Sequence, residues 1–297
     1  RGEKMFKRIG LFLITNLLVI VTMGVILNVL LPMMGIYLEG AWGLAIFCGI
    51  FGMAGAFISL AISRWMAKRA YGIQLVSDNS PDYNAREIHA MVARLARQAN
   101  LPEIPEVGIY QSQEPNAFAT GPSKSKSLVA FSTGLLASMS KQEVEAVAAH
   151  EISHISNGDM VTMTLLTGVV NALVMFLARI LASILNSFLS DEEGGGGLGF
   201  FGYIIVVMLL ETFLMIFASI PLAAFSRWRE FRADNGAAKL TSPGSMINAL
   251  KRLGSTAQIP EQKDSFAMAK ISSGKRVSLW STHPSLEARI ERLSSMR

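Results

Sequence analysis

Four stretches of this 297-residue chain carry almost no ionised side chain, and each is long enough to cross a bilayer. Ile9–Leu38 and Gly40–Ser63 carry none. Met160–Ala178 carries none, and its apolar character continues past Arg179 to Leu189. The fourth stretch runs from Gly194 to Leu210, is interrupted by Glu211, and resumes from Thr212 to Ser226. A helix needs roughly 20 apolar residues to span the hydrocarbon core. Backbone groups inside that core must be satisfied within the segment, so each stretch is expected to be a helix. Only 16% of the residues are charged, against roughly a quarter in a soluble domain, and the four blocks account for the shortfall. The first block is too long for the apolar region of a signal peptide and lacks a clear small-residue cleavage site, so it reads as a retained span.

Lysines and arginines near the span ends set the orientation. Lys4, Lys7 and Arg8 precede the first span, whereas the link to the second carries only Glu39. Arg64, Lys68 and Arg69 follow the second span. The loop between the third and fourth spans begins Asp191-Glu192-Glu193 and has no basic residue, and Arg227, Arg229 and Arg232 follow the fourth. Both termini are therefore expected inside, with two short loops outside. The chain divides into a first transmembrane hairpin (1–69), a cytoplasmic segment (70–159), a second hairpin (160–226) and a second cytoplasmic segment (227–297). The predicted class is a mainly α membrane protein with an α+β cytoplasmic domain.

Two charges fall inside the spans, where an unpaired charge is costly. Arg179 lies about ten residues from the outer end of the third span and Glu211 about eleven from that of the fourth. At about 1.5 Å per residue these depths are roughly 15 and 16 Å, so the two side chains are expected to pair between antiparallel helices. The single cysteine, Cys48, cannot form an internal disulfide and reads as a buried apolar residue. The net charge of +5 does not point to nucleic acid, because the basic residues flank apolar runs instead of forming a stripe.

Between the hairpins, Tyr83–Asn100 has helical spacing, with Ile88, Val92, Leu95 and Ala96 on one side. Glu106–Tyr110 and Leu128–Phe131 read as short strands. Ser140-Lys141-Gln142-Glu143 is a capping box that opens a helix to about Ser156, with Gly158 as its stop. Beyond the fourth span, helices are expected at Trp228–Leu240, Pro243–Leu253 and Pro284–Ser295. Gln258–Gly274 reads as irregular.

The capped helix carries His150-Glu151-Ile152-Ser153-His154. Histidines at i and i+4 share a helix face, so both rings reach one metal ion. Zinc takes imidazole nitrogens in tetrahedral geometry, and a catalytic site leaves one position for water. Glu151 then lies beside that water and accepts its proton. A third ligand is needed. Cys48 is in a span, and the only other histidines are His89 and His283. The better source is Arg229-Glu230-Phe231-Arg232-Ala233-Asp234, where Glu230 and Asp234 share a face. One carboxylate can bind zinc while the other accepts a hydrogen bond from a ligand histidine.

Taken together, these features resemble the HtpX family of bacterial membrane metalloproteases, in a wider group that includes the CAAX prenyl proteases. The resemblance runs over essentially the whole chain: the four spans, His150–His154 leading into Asn157-Gly158-Asp159, the Glu230 and Asp234 pair, Asn116-Ala117-Phe118-Ala119-Thr120-Gly121, and Thr282-His283-Pro284. It implies a gluzincin-type zinc endopeptidase with one Zn2+ on His150, His154 and Glu230. It makes Glu151 the base and puts Asp234 behind a ligand. It also implies cleavage of misfolded or surplus membrane proteins at the bacterial inner membrane, with the site on the cytoplasmic face. Joined to the chemistry, it makes His283 an oxyanion donor supported by Arg289. It makes Asn116, Ala117 and Phe118 part of an edge strand for an extended protein substrate. The expected partners are protein substrates and the lipid bilayer, not nucleic acid, and a homo-oligomer is compatible with the sequence. An intramembrane protease would bury its His-Glu motif within a span, whereas this motif's helix contains Lys141, Glu143 and Glu145. A scaffold holding structural zinc would favour four protein ligands and has no use for Glu151.

Overall fold

The computed structural model describes residues 25–35, 40–190, 197–256 and 281–296. Most of the expected first span, the acidic run Asp191-Glu192-Glu193 and the Gln258–Gly274 segment expected to be irregular lie outside the described residues. After a short helical stretch at 26–33, the elements run α1 (Gly40–Tyr71), β1 (Gln74–Val76), α2 (Tyr83–Gln98), β2 (Glu106–Tyr110), β3 (Ala117–Thr120), β4 (Leu128–Ser132) and α3 (Thr133–Ser138). They continue with α4 (Lys141–Asn157), α5 (Asp159–Leu189), α6 (Gly199–Leu240), α7 (Pro243–Thr256) and α8 (Leu286–Ser294).

Among the described residues three helices are long and apolar enough to cross a membrane: α1, α5 and α6. Their surfaces expose Ile50, Ile58, Leu173, Leu177, Ile205 and Leu209, large apolar side chains that water would not cover favourably. The chain forms two compact units, Arg1–Gly55 with Thr167–Ser219 and Ala56–Leu166 with Ile220–Arg297.

In the first unit α1 meets α5 at Gly52, where a β-carbon would lie 2.6 Å from the Ala172 nitrogen. Small residues allow this approach between apolar helices, where packing replaces the hydrophobic effect as the driving force. Phe47 and Cys48 are buried nearby. Arg179 on α5 donates to Glu211 Oε1 on α6 at 2.7 Å and to the Met175 carbonyl at 2.9 Å. The pairing expected from matched depths is therefore present.

The second unit holds a four-stranded sheet in the order β1-β2-β4-β3. β2 and β4 are parallel, and the two outer strands run antiparallel to their neighbours. α2 starts where Asp82 accepts the Asn84 N–H, the N-cap arrangement that satisfies a free helix donor. It buries Val92, Leu95 and Ala96 in a core shared with Phe131, Val147 and Ile152. α7 and α8 close this core through Met246, Leu250, Leu253 and Leu293.

One boundary differs from the sequence reading. The fourth span and the Trp228–Leu240 helix form a single element, α6. Arginine and glutamate propagate a helix well, so the charges after Ser226 mark the end of the apolar surface without ending the helix. Pro221 is accommodated within it.

Candidate metal centre

The centre is built where α4 and α6 cross. α4 begins on the expected capping box: the Ser140 hydroxyl accepts the Glu143 N–H, and Glu143 Oε2 accepts the Ser140 N–H at 2.8 Å. It ends at Gly158, whose φ of 71° lies in the left-handed region that glycine tolerates best. The crossing depends on small residues. A β-carbon at Gly236 on α6 would stand 2.4 Å from Ser153 Oγ and 2.7 Å from Ser153 Cβ. The Ser153 hydroxyl is turned back onto the Ala149 carbonyl at 2.7 Å. This approach brings Glu230 and Asp234 over the histidines of α4.

His150 Nε2 and His154 Nε2 are 3.1 Å apart, with the rings at 89°. Glu230 Oε2 lies 3.5 Å from His150 Nε2, and Glu230 Oε1 lies 3.4 Å from His154 Nε2. All three residues are buried. Ligands about 2.0–2.1 Å from a tetrahedral zinc stand roughly 3.3 Å from one another. The three separations match that spacing, so these residues fit a zinc ion.

The outer nitrogens have acidic neighbours. Asp159 accepts from His154 Nδ1 at 2.7 Å. Asp234 Oδ1 lies 3.0 Å from His150 Nδ1, a charge-paired contact more than an aligned hydrogen bond. Both acids favour the Nδ1–H tautomer, which turns the two Nε2 lone pairs toward a common point. Arg289 forks onto Asp234 through Nε at 2.8 Å and Nη2 at 2.6 Å.

Electrostatics follow from burial among these charges. Burial raises Asp234, but the Arg289 guanidinium overrides it and holds the carboxyl down at about 2. Burial opposes ionisation of Glu230 too, yet His154, His150 and His283 hold it well below the usual carboxylate range. Burial lowers His150, while its contacts with Asp234 and Glu230 more than reverse this and push it up to about 9. Glu151 goes the other way, because burial raises it more than the nearby histidines lower it. The backbone N–H of Ala119 on β3 also acts on this carboxyl, in the lowering direction and more weakly than the histidines.

β3 is an outer strand of the sheet. The Asn116 carbonyl accepts the Ser132 N–H at 2.9 Å. Antiparallel pairing alternates, so Phe118 and Thr120 also turn their backbone groups toward β4. Ala117 and Ala119 turn theirs to the open edge, which agrees with the Ala119 contact to Glu151. Ala117 is buried, and Phe118 is 7% exposed, its ring packed against those of Tyr71 and Tyr110. Asn116 Oδ1 is buried without a hydrogen-bond partner.

Among the residues singled out from sequence, His150, Glu151, His154, Glu230 and Asp234 come together in one buried cluster. His283 joins it, with Nδ1 3.3 Å from Glu230 Oε2. Arg289, expected to support His283, is 0% exposed and forks onto Asp234. In the sequence Asp159 stands out only as part of the motif's continuation. Its signal was an acid directly after the helix-stopping glycine, five residues beyond His154.

Comparison with known proteins shows the family. The profile of peptidase family M48 matches residues 82–297. The chain is 48% identical to protease HtpX of Shewanella oneidensis over 295 residues, covering 97% of this chain and 99% of that protein. It is 49% identical to protease HtpX of Aeromonas hydrophila over 290 residues, with the same coverage. The crystal structure of S. mikatae Ste24p superposes with a TM-score of 0.62 at 20% identity, covering 98% of this chain. The chain spans 65% of the length of that structure, and the likeness is one of fold.

Proposed function

This chain belongs to peptidase family M48 and is a membrane-associated metalloprotease, and from that premise we propose that it is a zinc endopeptidase cutting misfolded or surplus membrane proteins at the cytoplasmic face of the bacterial inner membrane. One observation carries the reading. Three buried ligand atoms stand 3.1 to 3.5 Å apart, next to a buried carboxylate on the residue after the first histidine.

His150 Nε2, His154 Nε2 and a Glu230 oxygen would hold the zinc, whose contribution when bound is Lewis acidity toward water and a peptide carbonyl. Glu151 takes the proton of the attacking water on its carboxylate and delivers it to the leaving nitrogen. Its raised pKa suits it to hold that proton in between. An extended substrate pairs with the outward backbone groups of β3, the strand that Asn116 leads into. Phe118 anchors the strand from behind. His283 stabilises the carbonyl oxygen as negative charge develops on it. Arg289 and Asp234 keep His150 in the tautomer the site needs.

The cytoplasmic placement rests on the distribution of lysine and arginine, and the N-terminal span on the charge-free run Ile9–Leu38. The test compares zinc-loaded wild type with Glu151→Gln in detergent on an unfolded protein substrate, with a chelator control. Cleavage by wild type alone, lost to chelator and reduced about 10²–10⁴-fold in the variant with its metal retained, is the expected result. Equal cleavage by both proteins would overturn the assignment of Glu151.

A further inference from the structure

Arg227, Glu230 and Asp234 stand at i, i+3 and i+7 on α6 and so share one helix face. Each meets the segment at 281–289. Arg227 Nη1 donates to the Ser281 carbonyl at 2.6 Å. Glu230 Oε2 lies 3.3 Å from His283 Nδ1. Asp234 accepts from Arg289 Nε at 2.8 Å and from Arg289 Nη2 at 2.6 Å. The segment is therefore laid along roughly 10 Å of α6, at about 1.5 Å per residue. His283 lies between the two anchored ends.

Local structure carries each anchor to the histidine. Ser281 Oγ donates to the His283 carbonyl at 2.7 Å, which closes a turn around Thr282. Pro284 is buried, and its ring fixes its own φ and biases His283 toward extended backbone. The Ser285 hydroxyl then accepts the Ala288 N–H at 3.2 Å and starts α8. Leu286 and Leu293 hold α8 in the core. The imidazole gains less from its own contacts. Nδ1 is buried, and its approach to Glu230 is not an aligned hydrogen bond. Its place is therefore set by the backbone, which α8 fixes downstream and Arg227 fixes upstream.

From this geometry we infer that Arg227 is a positioning residue for His283, holding the Ser281 end of the segment so that the imidazole stands beside the metal centre. The inference rests on the reading of His283 as the oxyanion donor. Such a donor works by being fixed in place before charge develops, and a displacement of about 1 Å costs up to about 100-fold in rate. A hydrogen bond from a charged donor is stronger than a neutral one, which suits Arg227 to the task. It acts through Ser281 and not on the zinc ligands, so its loss acts on turnover and leaves metal and substrate affinity in place.

The test uses the zinc-loaded full chain in detergent and a fluorogenic peptide. Arg227→Met should lower kcat about 10–100-fold, with KM and zinc affinity within about twofold of wild type. Arg227→Lys, which keeps a charged donor, should recover much of kcat. His283→Ala should lose at least as much as Arg227→Met. Adding Arg227→Met to His283→Ala should cost less than about twofold more, because both changes remove one interaction. Amide exchange gives a reading that does not depend on catalysis. Residues 281–285 should exchange about tenfold faster in Arg227→Met, with α4 unchanged. Should Arg227→Met not accumulate as folded protein, Arg227→Gln keeps a neutral donor and is read by the same ratio. Equal losses in the two His283 backgrounds, a loss confined to KM or to zinc content, or unchanged exchange at 281–285 overturns the inference. If His283→Ala keeps the wild-type kcat, the oxyanion reading fails and the inference falls with it. If His283→Ala is impaired and the Arg227 loss simply adds to it, only the role of Arg227 falls.

Discussion

Asp159 accepts a hydrogen bond from His154 Nδ1 at 2.7 Å although the two residues lie on different helices, separated by the left-handed turn at Gly158. The turn that ends α4 thus also places the group that orients His154, the last of its proposed metal ligands. Outer partners of ligating histidines typically contribute about 10–100-fold to metal affinity. Asp159→Ala should weaken zinc binding by that factor while leaving the fold intact. Competition against a chromogenic chelator measures it, and an unchanged affinity would take Asp159 out of the metal centre.

The crossing of α4 and α6 gives a second expectation. A β-carbon at position 236 collides with both Ser153 Oγ and Ser153 Cβ, so rotating the serine does not clear it. Gly236→Ala should force the helices apart, costing about 1–3 kcal/mol, and should weaken zinc binding because Glu230 and Asp234 move with α6. Ser153→Gly in the same chain should restore much of both losses. Thermal unfolding and zinc titration of the two single variants and the double variant test this. Simple additivity would show that the contact does not set the geometry.

Metal and proton compete for His150. Its pKa in the metal-free fold is raised to about 9 from an ordinary value of 6.5. A raised histidine stabilises the metal-free fold fully below 6.5, and this contribution disappears as the pH rises through about 9. Zinc needs the neutral ring, so apparent zinc affinity should fall steadily as the pH drops below about 9. Uptake near pH 7 should release protons. Calorimetric titration in two buffers of different ionisation enthalpy counts them. No release at pH 7, with release only in more acidic solution, would contradict the raised value.

Much of this organisation is local in sequence, and so legible there. The Ser140 capping box, the i and i+4 histidines and the shared face of Glu230 and Asp234 are short-range patterns set by helical geometry. The charge-free blocks follow from the bilayer as solvent. What escaped depends on contacts between distant segments. Nothing near Arg289 shows that its side chain is wholly buried against Asp234, fifty-five positions earlier. The Ser153–Gly236 approach also joins remote residues, although Gly236-Ala237-Ala238 is the kind of small-residue run that close crossings use. The continuity of α6 through Arg227 was hidden because the change from apolar to charged surface resembles a boundary while the backbone simply continues.

The Arg179–Glu211 pair turns matched depths into a test of span packing. The two groups meet at 2.7 Å with side chains only 10% and 17% exposed. Removing one partner leaves the other charge unmatched in an apolar setting, at a cost of about 3–5 kcal/mol in buried pairs, while replacing both with apolar residues is often nearly neutral. Arg179→Leu and Glu211→Leu should therefore each lower the melting temperature in detergent, and the double variant should regain most of the loss. Exchanging the residues, Arg179→Glu with Glu211→Arg, should also be better tolerated than either single change. The Arg179 guanidinium also donates to the Met175 carbonyl, an anchor the exchange does not reproduce, so recovery should be partial. A double variant as unstable as the sum of the singles would mean that the two charges are held by other groups and that their contact contributes nothing to how α5 and α6 pack.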